Sequence, residues 1–526
     1  MRALPSDPRT PVLVGVGTAL ADAEAVELMV LAAEAAGADA DAPALLRAAQ
    51  RIAVPRGTWS YTDPGRIVAE RIGAAAARTH LVDLGIPQQT LINEALSAIL
   101  RGDLDVVLVV GAEAKARAAR AAKRSTAANA AGIVNIVRRT APEPGGAPEI
   151  DQGGAVPDVH QVPEGEIIAW PEIEAGLIAP VEQYALIESA LRAAERTPVM
   201  QHRRDVAELW ARFNGVAQTN PEAAFPAPMN AAAIADLGPS HRPLAFPYGK
   251  WHASQWTVDQ GAALLLCSVE AAERFGVPRD RWVFPVVGVE SSHALPLTKR
   301  RTLHEWPAMR VLGRTAVERI GRPLADCEHA EVYSCFPAAV RVQQRELGLP
   351  VDGAPTITGG MTFAGGPFNS FVLHATAAMA RRLREQPGLG LVTTVSGLLT
   401  KPGLAVWAST PDGRAPRVGD LKSEAEEATD TVDVVSNHDS QATLAACTVT
   451  YEGSDPKELI AILDTEDQRR VIAKSAEPSL IADATTTELV GTTFTIEGNL
   501  IIDRSSRSAD SRGSSRPSPS QRNGTP

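Results

Sequence analysis

The sequence predicts an α/β protein built from two similar halves and followed by a small β-rich domain. Three observations support this fold class. Short apolar strands alternate with helical patterns, and the same order of strands and helices occurs twice along the chain. The region after residue 428 alternates apolar and polar residues, as half-buried strands do. Buried, mostly parallel sheets covered by helices are therefore expected.

Each half begins with a strand, a helix and a second strand. These elements are predicted at 12–16, 21–36 and 52–54 in the first half and at 283–289, 308–320 and 330–333 in the second. A further helix and strand follow, at 88–100 and 106–110 and then at 371–383 and 389–395. Each half is therefore predicted to be a β-α-β-α-β unit, and two such units can share central helices in a layered fold.

A long inserted loop domain, residues 115–241, interrupts the first half. Its proline- and glycine-rich part, 141–165, is predicted to be irregular, whereas 181–194 and 205–213 have helical patterns. Long ordered loops on a rigid scaffold commonly carry binding residues, and a structural lid is the alternative.

The remaining divisions follow from composition and periodicity. The predicted domains are an N-terminal half at 1–270, a C-terminal half at 271–412, an acidic linker at 413–428, a β-rich domain at 429–503 and a disordered tail at 504–526. Strand-like segments at 442–451, 459–463, 470–473 and 492–496 allow a small barrel of the oligonucleotide/oligosaccharide-binding type. An acidic balance and one aromatic pair, Tyr451 and Phe494, give no stacking platform for nucleic acid.

Composition excludes several classes of protein. The net charge is −11 and no Lys/Arg cluster resembles a duplex-binding face, so nucleic-acid binding is not expected. No apolar run approaches the roughly 18 residues of a membrane helix, and the first ten residues lack a secretory pattern, so a cytoplasmic location is expected. The four cysteines lie far apart, which predicts reduced thiols and no metal site.

Several segments resemble the thiolase family. Residues 98–113 resemble the helix-strand core of that family's first half, and 258–266 resemble the strand that closes it. Residues 220–223 and 332–336 resemble segments of the sterol-carrier-protein-linked thiolases, and 359–367 lies where those have a glycine-rich loop ending Gly-His-Pro. The resemblance covers approximately 11–410. With the appended β-rich domain, the chain is most similar to bacterial thiolase-like proteins labelled acetyl-CoA acetyltransferases, which implies lipid metabolism.

The resemblance implies four catalytic positions, and none carries the family's reactive group. Counting back from Gly102 places Gly85 at the nucleophilic cysteine, and glycine cannot hold an acyl group. Tyr333 stands at the Asn/His position, Gly366 at the histidine, and Val395 or Ser396 at the second cysteine. The sequence therefore predicts a protein without standard thiolase catalysis.

Three residues could still take part in chemistry. Cys335 offers a relocated thiol, for which a small core residue is the favoured alternative. His374 is expected to be an ordinary helix histidine and Lys401 a solvated lysine.

Coenzyme A binding would not require the missing nucleophile, because its phosphates need cations and its adenine needs a flat apolar wall. Two basic and aromatic clusters are candidates, with a surface salt-bridge face as the alternative: His202, Arg203, Arg204 and Trp210, and then Arg242, Tyr248, Lys250 and Trp251.

The predicted function is that of an acyl-CoA-binding or lipid-binding protein or a scaffold, with coenzyme A or acyl-CoA as ligand and no tightly bound cofactor. A scaffold would pair with another protein through its C-terminal domain. The alternative is an acyltransferase on CoA thioesters that uses a non-standard set of groups, with Cys335 and Tyr333 among them.

Overall fold

Two mixed sheets form the centre of the molecule in a computed structural model, which describes residues 7–126 and 154–504. In spatial order, the first sheet contains β1 (Pro11–Leu20), β8 (Asp259–Ser268), β4 (Val106–Ala114), β2 (Arg51–Pro55), β3 (Arg78–Val82) and β5 (Val159–Gln161). The second sheet contains β10 (His329–Glu331), β11 (Leu389–Ser396), β12 (Lys401–Ala408), β9 (Phe284–Glu290) and β13 (Arg417–Asp420).

Helices lie between and outside these sheets. They are α1 (Ala25–Asp39), α2 (Pro43–Arg47), α3 (Pro64–Arg71), α4 (Gln88–Arg101), α5 (Lys115–Thr126), α6 (Trp170–Glu174), α7 (Pro180–Glu195), α8 (Val199–Ala217), α9 (Ala231–Ala235), α10 (Val269–Arg274), α11 (Pro307–Ile320), α12 (Pro337–Leu347), α13 (Gly360–Phe363), α14 (Phe371–Glu385), α15 (Lys422–Glu427) and α16 (Pro478–Thr486). No helix among the described residues is long and apolar enough to cross a membrane.

The central helices α4 and α14 join the two halves. Helix α4 contacts β8 of the first sheet and β9 and β12 of the second, while α14 contacts β8 and β11. Both helices bury most of their length, as elements covered on two sides must. Helices α1 and α11 cover the outer faces of the first and second sheets. The predicted two-half α/β layered fold is therefore confirmed.

The C-terminal domain contains a closed five-stranded barrel. Its strands are β15 (Ser440–Glu452), β16 (Asp455–Thr465), β17 (Arg470–Ser475), β18 (Thr493–Glu497) and β19 (Leu500–Arg504). Strand β15 pairs with β16 and β18, β17 pairs with β16 and β19, and β18 pairs with β19, which closes the ring. The predicted β-rich domain is confirmed, and its interior is apolar.

The barrel rests on the inserted loop domain. Just after the inserted loop domain, strands β6 (Pro243–Ala245) and β7 (Tyr248–Gly249) continue the barrel sheet through a pairing of Ala245 with Thr450. Strand β14 (Val434–Val435) pairs with β17. Arg192 of α7 forms an ion pair with Glu488 at 2.9 Å. The barrel and the two-sheet core with its insertion therefore meet over a specific surface.

Two predicted irregular segments contain regular structure. Residues 413–428, predicted as an acidic linker, include β13 and α15, because β13 pairs with β9 and Ala425 of α15 is buried. Residues 141–165 were expected to be irregular throughout, but Val159–Gln161 forms β5. The first six residues, the part of that segment before residue 154, and the predicted tail beyond residue 504 lie outside the described residues.

Strand β5 covers one edge of the first sheet. It pairs in parallel with β3, with His160 opposite Leu81. Asp158 fixes the start of this pairing, because its carboxylate accepts hydrogen bonds at 2.7 Å from the Thr79 amide and from the Arg66 guanidinium. The backbone groups on that side of β3 are therefore paired within the chain.

Candidate functional site

The turn before α4 requires a glycine at Gly85. This residue has a φ of +96°, a backbone conformation that other residues rarely adopt. A Cβ atom placed there would lie 3.1 Å from Cβ of Pro163, which the inserted loop brings over the turn. The position where the resemblance puts the nucleophilic cysteine is therefore closed by backbone conformation and by a neighbouring proline.

A buried lysine lies beside Gly85. The Nζ atom of Lys401 donates hydrogen bonds to the carbonyl oxygens of Gly85 at 3.1 Å and Glu164 at 2.9 Å, and the residue is 2% exposed. Burial lowers the pKa of this amine. The expectation of a solvated Lys401 was wrong, because Lys401 begins β12 opposite Ser396 and its side chain turns inward.

The turn between β11 and β12 is strained. Leu398 and Leu399 both have left-handed backbones, with φ of 59° and 62°. Such a conformation costs about 1–2 kcal/mol per non-glycine residue. The turn is held by Arg300, whose Nη2 donates to the Leu398 carbonyl at 2.8 Å, and by Trp306, whose indole donates to the Thr400 carbonyl. Ser396 is half-buried and begins this turn.

Tyr333 and Cys335 lie close together in the hydrophobic core. The ring of Tyr333 packs edge-on against Phe371 at 5.7 Å, and its backbone amide donates to Thr393 Oγ1. Burial raises the pKa of Cys335 to about 12, although a hydrogen bond with the Tyr184 hydroxyl opposes that effect. Cys335 is therefore a protonated thiol at neutral pH and a poor nucleophile.

Gly366, where the resemblance puts the family's histidine, lies against a neighbouring serine. A Cβ atom on Gly366 would lie 1.9 Å from Oγ of Ser254, so a larger side chain there requires the Ser254 hydroxyl to move. The Gly366 amide donates to the Gln255 carbonyl at 3.0 Å, which fixes the two segments against each other. His374 faces Glu222 and Arg381, and burial lowers its pKa to about 4.

The residues predicted to bind coenzyme A do not form one open surface. His202 and Tyr248 are buried on Glu188, at 2.7 Å and 2.5 Å from its carboxylate oxygens. Burial alone would raise the pKa of Glu188, but His202, Arg341 and Tyr248 hold it at about 2. These residues form a buried polar network rather than a ligand surface.

The other predicted ligand residues are scattered. Trp210 is buried and its indole donates to Thr362 Oγ1. Arg203 is half-buried and donates to the Ala235 carbonyl, while Arg204 is exposed on α8. Lys250 is exposed and lies over the Trp251 ring at 4.6 Å. Among the described residues, no cluster of His, Cys, Asp and Glu could hold a metal ion.

The fold places the chain in the thiolase superfamily, as its likeness to a solved SCP2-thiolase-like structure shows. No family model matches the chain, and no curated protein matches it. Within the superfamily, the chain is similar to a monomeric SCP2-thiolase-like protein type 1 from Mycobacterium smegmatis. The identity is 28% over 94% of this chain and 98% of that one, with a TM-score of 0.76.

Two further solved structures share the fold at lower identity. The dimeric peroxisomal thiolase of Saccharomyces cerevisiae is 16% identical over 77% of this chain and 98% of its own, with a TM-score of 0.52. The Ltp2-ChsH2(DUF35) aldolase is 17% identical over 76% of this chain and 98% of its own, with a TM-score of 0.53. These two likenesses show the fold alone.

Among three residues that shape the site, sequence reasoning missed Pro163 and Arg300 and expected the wrong environment for Lys401. Pro163, Arg300 and Lys401 come from the insertion, from the loop after β9 and from the start of β12. Lys401 precedes Pro402 and Gly403, a pattern typical of a loop, and that pattern concealed the strand. Arg300 lies within the basic run Lys299-Arg300-Arg301, a pattern typical of a solvated surface, yet it is 5% exposed.

Replacing Glu290 with glutamine is expected to flatten the pH dependence of stability. Burial raises the pKa of Glu290 to about 8 from an ordinary value of 4.5, and Thr90 donates a hydrogen bond to it. Between about pH 5 and pH 8 the folded state holds a proton that the unfolded state releases, so the free energy of unfolding falls as the pH rises. The wild type should lose on the order of 1–2 kcal/mol of its free energy of unfolding through Glu290 over this pH interval, and the glutamine variant should not show this loss.

Urea unfolding at about pH 5 and about pH 8 measures this change in the free energy of unfolding. Glu113 and Glu331 also have pKa values raised by burial, to about 7, so part of the pH dependence should remain. The exposed Glu424→Gln variant is the control and should follow the wild type. An unchanged pH dependence in Glu290→Gln would contradict the prediction.

Proposed function

We propose that this chain is a non-catalytic protein of the thiolase fold that acts by binding a protein partner. The observation that carries the proposal is the filled catalytic region. Pro163 lies over Gly85, Ser254 lies against Gly366, and the Lys401 ammonium is used in binding backbone carbonyl oxygens. Acyl transfer needs a nucleophile and an activating base in an accessible pocket.

The geometry favours a protein partner over an acyl-CoA or lipid ligand. The candidate residues for coenzyme A include a histidine, a tryptophan and a tyrosine that are each nearly fully buried, and their polar atoms bind other parts of the chain. They cannot stack on adenine or reach a phosphate without unfolding their surroundings. Residues that are neighbours in the sequence of a predicted cluster therefore lie partly in the core and partly on the surface.

The barrel supports the protein-binding role. Its strand order, its parallel β17–β19 pairing and the helix between β17 and β18 suit the oligonucleotide/oligosaccharide-binding type. Leu500 and Ile502 on β19 are 53% and 52% exposed, and two such side chains on one strand face suit an apolar contact. The Ltp2-ChsH2(DUF35) aldolase is named as an assembly of two components, which makes partnering plausible for a thiolase-type core.

Intact-protein mass spectrometry after exposure to acetyl-CoA and acetoacetyl-CoA tests the absence of catalysis. We expect no covalent adduct and no turnover of either thioester. Cys335→Ala is the matched variant for the alternative function. An adduct that is present in the wild type and absent from Cys335→Ala would overturn the proposal and support an acyltransferase with a relocated thiol.

Quantitative affinity purification from the native cells tests the partner role. We expect one protein to co-purify with the full chain. The recovered amount of that protein should fall at least about tenfold with a Leu500→Lys/Ile502→Lys variant, because a buried charge opposes an apolar contact. Asp503→Lys, on the same strand and also exposed, should retain it. Equal recovery with both variants would exclude β19 as the contact. Saturable binding of acyl-CoA by the purified chain would favour the ligand role.

A further inference from the structure

Residues 238–252, which we call the linking loop, follow the inserted loop domain and contact the barrel. Phe246 in this loop is 5% exposed and belongs to the apolar cluster of the barrel. Its amide donates a hydrogen bond to the Val449 carbonyl at 2.9 Å, and its carbonyl accepts one from the Thr448 hydroxyl at 2.9 Å. The linking loop is therefore bonded to β15 of the barrel.

Two buried histidines hold the linking loop in its folded shape. His241 and His252 are each 3% exposed, and the centres of their rings lie 5.1 Å apart. Nδ1 of His252 accepts a hydrogen bond from the Gly249 amide at 3.1 Å. Nδ1 of His241 accepts one from the Trp251 amide, also at 3.1 Å. Each imidazole therefore serves as the acceptor for a backbone amide of the same loop.

These hydrogen bonds require both imidazoles to be neutral. A backbone amide can only donate, so Nδ1 of each ring carries no proton. Nε2 of His241 lies 2.8 Å from the Ile234 carbonyl oxygen, which can only accept, so Nε2 carries the one proton of that ring. Protonation would turn each Nδ1 into a donor that faces the amide N–H it now binds.

The charges around His252 do not compensate for its burial. Burial lowers the pKa of His252 to about 3 from an ordinary value of 6.5, and His241 and Arg203 act in the same direction. Glu188 opposes this effect. Its carboxylate is already bound by three other side chains, those of His202, Tyr248 and Arg341. An imidazolium at this position would therefore lack a carboxylate of its own.

His241 has a similar environment. Burial lowers its pKa and Lys250 acts in the same direction, whereas the hydrogen bond to the Ile234 carbonyl and the charge of Asp236 oppose that effect. The Tyr248 ring lies 5.9 Å from that of His252, and burial raises the pKa of its hydroxyl, so it contributes no charge. Both histidines are therefore held neutral in the closed loop.

We propose that acid opens the linking loop and detaches it from β15 before the two-sheet core unfolds. Protonation of the two rings removes the acceptors for the Gly249 and Trp251 amides and places charge in apolar surroundings. Both histidines have lowered pKa values in the closed loop, so its stability is present above the ordinary value of 6.5 and is lost as the pH falls below it.

The remaining contacts between the barrel and the core do not depend on these histidines. Arg192 binds Glu488, and Arg470 donates to the backbone carbonyl oxygens of Thr298 and Arg301. These contacts should hold the barrel in place while the linking loop opens. The inference is independent of the protein-binding role.

Hydrogen exchange of the full-length chain, measured by mass spectrometry and corrected for the intrinsic rate at each pH, tests the proposal. We expect the protection factor of a linking-loop peptide to fall at least about tenfold between about pH 7 and about pH 4.5, because opening takes up a proton at each histidine. A peptide over β11 should change by less than about twofold. Unchanged protection of the linking loop, or an equal fall in both peptides, would overturn the proposal.

A double variant separates protonation from packing. Asparagine can accept the amide hydrogen bonds but does not titrate, so protection of the loop in His241→Asn/His252→Asn should not depend on pH. His329→Asn, at a half-buried histidine of β10, is the matched control and should keep the wild-type pH dependence. A double variant with the wild-type pH dependence would overturn the proposal. If the double variant does not fold, the two peptides of the wild type decide the question.

Discussion

Replacing Arg470 with methionine is expected to lower the free energy of unfolding by about 3–4 kcal/mol, because it removes a buried cation that joins the barrel to the core. Arg470 is 1% exposed. Its guanidinium donates to the backbone carbonyl oxygens of Thr298, Arg300 and Arg301, and to Asp464 at 2.8 Å. Methionine would leave three carbonyl groups without this donor.

Urea unfolding followed by circular dichroism measures the change. A chain of this size can unfold in more than one step, so the midpoint of the first transition is the quantity to compare. The neighbouring Arg469→Met is the control, because Arg469 is 46% exposed and its ion pair with Asp467 should contribute under about 1 kcal/mol. Similar midpoints for the two variants would show that Arg470 does not anchor the barrel.

Placing a histidine at Gly366, where the resemblance puts the family's histidine, is expected to destabilise the fold without producing catalysis. Even Gly366→Ala should lower the free energy of unfolding by about 2–3 kcal/mol, since its Cβ would lie 1.9 Å from Ser254 Oγ and 3.3 Å from the Met361 carbonyl oxygen. Gly366→His should cost more. Thioester turnover should stay at background, because no nucleophile lies at Gly85.

A double-mutant cycle isolates the cause. Ser254→Gly removes the overlapping hydroxyl, so Gly366→Ala in that background should recover about half of the lost stability. Gly215→Ala in α8 is the control, because no atom lies within 4 Å of a Cβ placed there and alanine favours the helix. Denaturant unfolding of the four variants of the cycle decides the point. Additive effects at 366 and 254 would contradict steric overlap.

The layered fold was predictable because its signals are local. The repeated apolar strands and the apolar stripes of α4 and α14 each lie in one continuous segment of the sequence. The residues of these stripes are the ones that the two central helices bury. Two strands were not predicted in full from the sequence. The three-residue β5 is too short for a periodic signal, and β12 begins with Lys401-Pro402-Gly403, a sequence typical of a loop.

The assignment of Gly85, Tyr333, Gly366 and Ser396 to the family's four catalytic positions rests on the resemblance and stays a prediction. What fills the space around these positions could not be predicted, because Pro163, Ser254 and Lys401 come from segments far apart in the chain. Burial likewise decides the basic clusters, and His202 and Arg204, two residues apart on α8, face the interior and the solvent respectively.

The three residues of β5 also determine what the first sheet can do with another molecule. Because β5 pairs with β3, the backbone groups on that side of β3 are already bonded within the chain and are not available to a second copy. A second copy that sought backbone pairing with β3 would first have to displace β5 and break the Asp158 contacts. Backbone pairing of a second copy on that flank would therefore have to use the outer side of β5, an edge strand of three residues, instead of β3.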